Sequence, residues 1–272
     1  MSERKKYIGH PERVFTKVGN DMLRRWDKRL DEAQFYNIAR ELSNAYKNGC
    51  EVIHVTSGAI AAGEMKTGKK YKDGLEIKKY LAGIGQYRLM AEYEKAFDNF
   101  GQLVSQSLIL SDELNDEKKL SEYISGYCTD LKMRTIPIIN NNDKLSTAEL
   151  GYSENDELLA DVAIKFNKAL PKKPLAIILS NYELHDKNPK NHKSAKPISI
   201  VYEINDEIIK LAEDEEEGNG MRAKLAAAKR MTENGIPVII ANGRYRKTRR
   251  DIIMPIIYGE DIGTLFVPKS MR

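Results

Sequence analysis

The sequence predicts an α/β domain, a three-layer αβα sandwich around a mostly parallel central sheet. Three observations predict it. Short β-rich runs alternate with long amphipathic stretches through the 272 residues. Several of those runs (VIHV, IPII, LAIIL and PVII) are apolar at consecutive positions, the pattern of strands buried on both faces. Strand and helix in alternation build right-handed βαβ units, whose helices cover both faces of a parallel sheet.

Strands are expected over 13–18, 51–55, 103–110, 135–139, 175–179 and 237–241. Helices are expected over 31–47, 75–100, 115–132, 155–169, 205–213 and 220–234. In the first helix Ile38, Leu42, Ala45 and Tyr46 recur at helical spacing, and in the last Leu225, Ala228 and Met231 do. Asn48-Gly49 and Asn234-Gly235 end two of these helices, as a glycine just past the last turn does. The Lys-, Asn- and Pro-rich stretch 186–197 is expected to be an exposed excursion, and the acidic run 213–217 a solvated loop rather than a metal site. With no internal repeat and no low-complexity linker, residues 1–272 form a single domain in this reading.

Composition bounds the partners. A hydrophobic fraction of 41% and a charged fraction of 31% are those of an ordinary water-soluble chain. The 44 basic and 40 acidic residues are interspersed, so the net charge of +4 implies no nucleic-acid groove. Cys50 and Cys128 lie outside any CxxC or Cys/His cluster, which argues against a disulfide or zinc site and for a reducing, cytoplasmic setting. The N-terminal MSERKKYIGHPER has no apolar core, and no apolar run is long enough to span a bilayer, so no membrane partner is expected.

In open parallel sheets, ligands bind beyond the carboxyl ends of the strands. Four polar or glycine-bearing turns stand there: Lys17-Val18-Gly19-Asn20-Asp21, Thr56-Ser57-Gly58 with the helix start that follows, Asn140-Asn141-Asn142-Asp143, and Ser180-Asn181. Together they point to a polar, anionic ligand. Glycines let backbone N–H groups approach a phosphate, and a helix beginning at TSGAIAAG adds a partial positive charge; tight packing of strand on helix would select the same small residues. There is no GxxxxGK[ST] and no GxGxxG after the first strand, so neither a P-loop nor a dinucleotide fold is supported. Lys17 is a charge at the end of a buried strand and needs a partner or a route to solvent. Taken singly, Lys224 fits an exposed helix lysine, Asp156 a first-turn acid complementing the helix dipole, and Asp143 a turn residue.

In their order and local context, the segments TKVGND, VIHVTSGAIAAGE, LAGIGQYRLM, IPIINNNDKLSTAE, ENDELLADVA, GNGMRAKLAAAKR and GTLF resemble the amino-acid kinase family, and within it the glutamate 5-kinases. VTSGAIAAG is the most specific of them. The resemblance implies the amino-acid kinase fold and an ATP-dependent transfer of phosphate to the side-chain carboxylate of L-glutamate, the first step of proline biosynthesis. It implies that Lys17 and Lys224 are catalytic on either side of the transferring phosphoryl group, with Asp156 holding both. Gly19, Ser180, Asn181, Gly218, Asn219, Gly220 and Met221 would join Lys17 and Lys224 in binding the nucleotide. Ser57, Gly58, Asp143 and Asn155 would bind the amino acid. Mg²⁺ would take phosphate and water oxygens, with no side-chain ligands assigned. A homodimer or homotetramer and inhibition by proline are further implications, and the RNA-binding-like C-terminal domain of many glutamate 5-kinases is not expected.

The chain departs from the family pattern on the nucleotide side. Asn20-Asp21 stands where relatives carry a hydroxyl pair, Ser180-Asn181 where they carry Thr-Asp, and Gly218-Asn219-Gly220 where they carry more glycine. Either Asp21 points away from the phosphates, or it faces them and needs a cation: Mg²⁺, Arg24 or Arg25. The nearby arginines favour the second. These departures leave two alternatives open, a family kinase with a different acceptor and a catalytically weak paralogue that binds a ligand or a partner subunit.

Overall fold

A computed structural model describes residues 3–27, 29–70, 72, 74–145, 154–189, 191–212, 220–244 and 251–272. The central strands are β1 (Arg13–Val18), β2 (Glu51–Val55), β3 (Leu103–Ile109), β4 (Thr135–Asn141), β5 (Pro174–Ser180) and β7 (Val238–Asn242). Two short strands, β6 (Ile200–Val201) and β8 (Thr264–Phe266), complete an eight-stranded sheet in the order β3-β4-β2-β1-β5-β7-β8-β6. Every neighbouring pair is parallel except β7 with β8.

Period-2 alternation sends successive side chains to opposite faces. One face carries Val14, Val52, Leu175, Ile177 and Ile239, packed against α2 (Glu32–Lys47), α4 (Leu75–Asp98) and the short α9 (Ile253–Ile257). The other carries Phe15, Ile53, Ala176, Ile178 and Val238, packed against α5 (Glu117–Lys132), α6 (Glu154–Ala169) and α8 (Gly220–Glu233). This is the expected three-layer sandwich.

Three features correct the sequence reading. The helix expected over 205–213 spans Asp206–Lys210 as α7, because Asn205 caps it by accepting a hydrogen bond from the Ile208 N–H at 3.1 Å. The helix expected from 115 begins at Glu117, after a 3₁₀ turn over Ser111–Asn115 and an Asp116 cap. The short elements α1 (Arg4–Ile8), β6, β8 and α9 had no periodic signal to betray them. Long-range contacts hold them instead: buried Arg4 donates to the Ile262 carbonyl at 2.8 Å, and the buried Glu41 carboxylate accepts from the Ile252 and Ile253 N–H groups at the start of α9. The acidic run 213–217 lies outside the described residues.

The glycine stops behave as expected, with Gly49 at φ +91° and Gly235 at φ +78°. Among the described residues, no helix is long and apolar enough to cross a membrane.

Candidate functional site

The polar turns predicted from sequence leave β4, β2, β1 and β5, four consecutive strands, so the sheet gathers them along one edge. Lys17 does not run to solvent. Its position on β1 aims it at the α6/α8 face, where its ammonium lies 2.8 Å from Asp156 Oδ1. Both side chains are almost wholly buried, at 3% and 1% exposure. Asp156 sits in the first turn of α6, and its other oxygen lies 3.4 Å from Lys224 Nζ. Lys224 stands one turn into α8 and also donates to the carbonyl of Gly220 at 2.9 Å. The three charges expected from separate segments therefore meet at one buried carboxylate.

Their electrostatics follow from burial. Desolvation pushes the Lys17 ammonium below its ordinary range; Asp156 pulls it back up, Lys224 pushes it further down, and Asp21 raises it slightly. Two cations share one buried anion, which leaves a positive charge unmet where an incoming anion would complete it.

Next to this triad, on the β2/β4 side, Asn155 Nδ2 donates to Ser57 Oγ at 2.9 Å. Asn155 Oδ1 accepts from the Asn141 N–H at 3.3 Å. Asn140, whose amide donates to Gln86 Oε1 at 2.8 Å, and Gln86 itself escaped assignment from sequence, although both lie in the quoted segments. Ser57 is held at the turn by Gly58, whose φ of +107° is a left-handed conformation that a side chain would strain. The glycines further along have a different task. A Cβ on Gly63 would lie 2.0 Å from the Leu81 carbonyl, and one on Gly85 would lie 1.7 Å from the Ala59 carbonyl. They let α3 (Ala59–Thr67) cross α4 backbone to backbone, so packing, not ligand approach, accounts for them. Asp143 lies just beyond β4 on the same edge, and burial pushes its carboxyl up to about 6 against the opposing pull of Lys78.

On the side expected to bind the nucleotide, Gly19 follows β1, and a Cβ there would stand 3.9 Å from Lys17 Nζ. Ser180 ends β5 and accepts from the Gly243 N–H at 2.8 Å. Met221 packs against the α6/α8 core, and Gly220 opens α8. Gly218 and Asn219 lie outside the described residues.

Asp21 pairs with neither Arg24 nor Arg25. Its carboxylate accepts from Asn181 Nδ2 at 3.3 Å, while Arg25 lies 3.8 Å from Asp27. A cleft of about 1250 Å³ opens here on the α2 side, lined in part by Asp21, Arg24, Arg25, Trp26, Asn181 and Arg244. Three of its arginines serve the loop itself: Arg25 and Arg29 bracket Asp27, and Arg244 donates to the backbone carbonyls of Asp21 and Arg24.

The site therefore offers a buried cation pair around one carboxylate, a polar amide–hydroxyl pair beside it, and a half-buried acid beyond. Such a set can grip an anion at one end and orient a small polar molecule at the other.

Comparison with known proteins is consistent with that reading. The model of the amino acid kinase family matches residues 12–242. The chain is 35% identical to a glutamate 5-kinase of Clostridium acetobutylicum, over 99% of this chain and 100% of the relative. It is 33% identical to one of Clostridium perfringens, over 98% and 99% of the two chains. A glutamate 5-kinase of a Thermoanaerobacter species is 34% identical over 94% of this chain and 68% of its own length. Among solved structures, isopentenyl phosphate kinase from T. acidophilum superposes with a TM-score of 0.61 at 16% identity, covering 93% of this chain and 99% of the other. UMP kinase from Bacillus anthracis does so with a TM-score of 0.60 at 14% identity, covering 95% and 97%. These two show a shared fold. With a family model spanning most of its length and relatives aligned end to end, the chain belongs to the amino acid kinase family.

Proposed function

We propose that this chain transfers the γ-phosphoryl group of ATP to the side-chain carboxylate of L-glutamate, forming glutamyl 5-phosphate for proline biosynthesis. The observation that carries the reading is the Asp156 carboxylate shared by the buried Lys17 and Lys224 ammoniums, 2.8 and 3.4 Å away, beside the Ser57–Asn155 pair. The glutamate 5-kinase relatives supply the acceptor's identity.

Phosphoryl transfer asks for positioning and charge neutralisation rather than a covalent intermediate. Lys17 and Lys224 meet the charge of the transferring group from either side. Asp156 fixes both ammoniums, so neither needs to reorganise when charge develops. The acceptor carboxylate is already ionised near neutral pH, so no strong general base is required. Ser57, Asn155 and the Gly58 N–H orient the amino acid, and Asp143 pairs with its ammonium group. Gly19, Ser180, Asn181, Gly220 and Met221 flank the nucleotide. Mg²⁺ carried by the ATP phosphates would supply part of the charge neutralisation, and no side chain here is assigned to it.

A glutamate-dependent ADP-release assay with Mg·ATP across a panel of amino acids tests this. Turnover with glutamate alone is expected. Turnover with another amino acid moves the assignment to that acceptor, and no turnover with any of them refutes the kinase reading.

A further inference from the structure

On the α2/α4 side of the sheet, beneath the site, four polar side chains are fully buried: Thr16 on β1, His54 on β2, Thr56 just beyond β2, and Tyr93 on α4. Thr16 and His54 are direct partners in the β1–β2 register. Thr16 Oγ1 lies 2.8 Å from His54 Nδ1, His54 Nε2 lies 3.0 Å from the Tyr93 hydroxyl, and that hydroxyl lies 2.8 Å from Thr56 Oγ1. Thr56 Oγ1 in turn donates to the carbonyl of Ser57 at 3.3 Å.

A threonine hydroxyl has one hydrogen, and the contact with the Ser57 carbonyl assigns that of Thr56 to Ser57. With that assignment Thr56 accepts from Tyr93, Tyr93 accepts from the His54 Nε2–H, and His54 Nδ1 accepts from Thr16. Each hydrogen is then used once, and the histidine carries its proton on Nε2. Burial pushes the imidazole down to about 3, so the ring stays neutral at any working pH and holds this pattern. The rings are wedged as well: Tyr93 stands edge-on to Phe35 at 4.8 Å and to His54 at 5.3 Å between centroids.

The chain begins on the residue before Lys17 and ends on the residue before Ser57. On the opposite face, Lys17 binds Asp156, whose neighbour Asn155 binds Ser57. The two halves form a ring around β1 and β2, with adjacent residues of the backbone closing it at 16–17, 56–57 and 155–156. A fully satisfied buried network specifies one geometry where an apolar filling would tolerate several.

We infer that His54 and Tyr93 are positioning residues, whose hydrogen-bond chain fixes the Ser57 turn relative to Lys17 and so sets how the acceptor is presented to the phosphoryl group. The inference rests on the functional reading of Ser57 and Lys17 given above.

Tyr93→Phe removes one hydroxyl and keeps the ring, so it cuts the chain at its middle; Thr16→Val cuts it at the far end with little change of shape. Two measurements are made on each. Amide hydrogen exchange in the unliganded protein is expected to rise at 56–60 in Tyr93→Phe, without a matching rise along β5. Steady-state kinetics are expected to show the acceptor KM raised about tenfold and the ATP KM changed less than about twofold, since misplacing one reactant by a fraction of an ångström is costly. In the double variant Tyr93→Phe/Ser57→Ala, the acceptor KM should equal that of Ser57→Ala alone. A purely structural role would lower the melting temperature and leave both KM values and the local exchange pattern unchanged, which overturns the inference. So would multiplicative effects in the double variant. If the wild-type protein turns over no amino acid, the kinase reading fails while the exchange measurement still decides the positioning. Should Tyr93→Phe not fold, Thr16→Val carries the same tests, with the same outcomes read.

Discussion

The Asp156 carboxylate sits 2.8 Å from the Lys17 ammonium, with both side chains almost fully excluded from water and Lys224 on the carboxylate's other oxygen. Asp156→Asn would leave two buried or half-buried ammoniums without a counter-ion. Breaking a buried pair in this way costs roughly 3–5 kcal/mol of stability. Turnover is expected to fall with it, by about 10²–10³-fold, the loss typical of a preorganised charge. Lys17→Ala and Lys224→Ala should each lower kcat by a similar factor with little change in acceptor KM. Thermal unfolding with kinetics on the folded fraction checks this; near-normal turnover in a folded variant would remove that residue from the mechanism.

The proposed pairing of Asp143 with the substrate ammonium predicts a pH dependence. Burial raises its carboxyl to about 6, so it loses its charge as pH falls through 6 and with it the attraction for a substrate ammonium. Acceptor KM should climb below that pH while ATP KM stays level. The stability consequence has the opposite sign. The folded protein holds this proton at a pH where the unfolded chain has released it, so stability declines as pH rises from about 4 to 6 and stays lower above. Asp143→Asn should therefore raise the melting temperature at pH 7, by the equivalent of ~1–2 kcal/mol after solvent screening, and change it little at pH 4. Calorimetric scans at the two pH values decide it.

Asp21 places an exposed carboxylate beside the proposed nucleotide side, with Asn181 as the partner of its carboxylate. Asp21→Ser removes that charge and frees the Asn181 amide. ATP should bind a few-fold more tightly at low Mg²⁺, and the gap should close as Mg²⁺ rises, because a screened surface charge contributes only about 0–1 kcal/mol. Titrations of ATP at several Mg²⁺ concentrations that give equal affinities throughout would place Asp21 away from the phosphates.

Gly85→Ala tests the crossing of α3 and α4. The added methyl would overlap the Ala59 carbonyl, so the helices must part. A stability loss on the order of 2–4 kcal/mol is expected, as for other overpacked cores. Because Ala59 follows Gly58 directly, acceptor KM should rise while ATP KM does not. A melting temperature equal to that of the wild type would show that the crossing is looser than described.

The sequence by itself determined the sandwich, the six long strands and the sheet edge along which the polar turns gather. Those properties are local or periodic: apolar runs, helical spacing, glycine stops, and turns at the ends of strands. It also marked Lys17, Asp156 and Lys224 through their resemblance to a family, though singly each had an ordinary explanation. Only the tertiary structure decided that one carboxylate holds both lysines, because residues 17, 156 and 224 meet through the packing of β1, α6 and α8. The same holds for His54, in the apolar run VIHV, and Tyr93, between Glu92 and Glu94, whose donors and acceptors come into line only when β1, β2 and α4 pack. Asp21 went the other way. Adjacent arginines suggested a partner, but Arg25 faces Asp27, Arg244 takes the carbonyls of Asp21 and Arg24, and the Asp21 carboxylate is met by Asn181, just past β5 and 160 positions away. Hydrophobic pattern fixes layers because it repeats along the chain. Pairing of charges and hydrogen bonds across layers does not repeat, and only the folded geometry selects it.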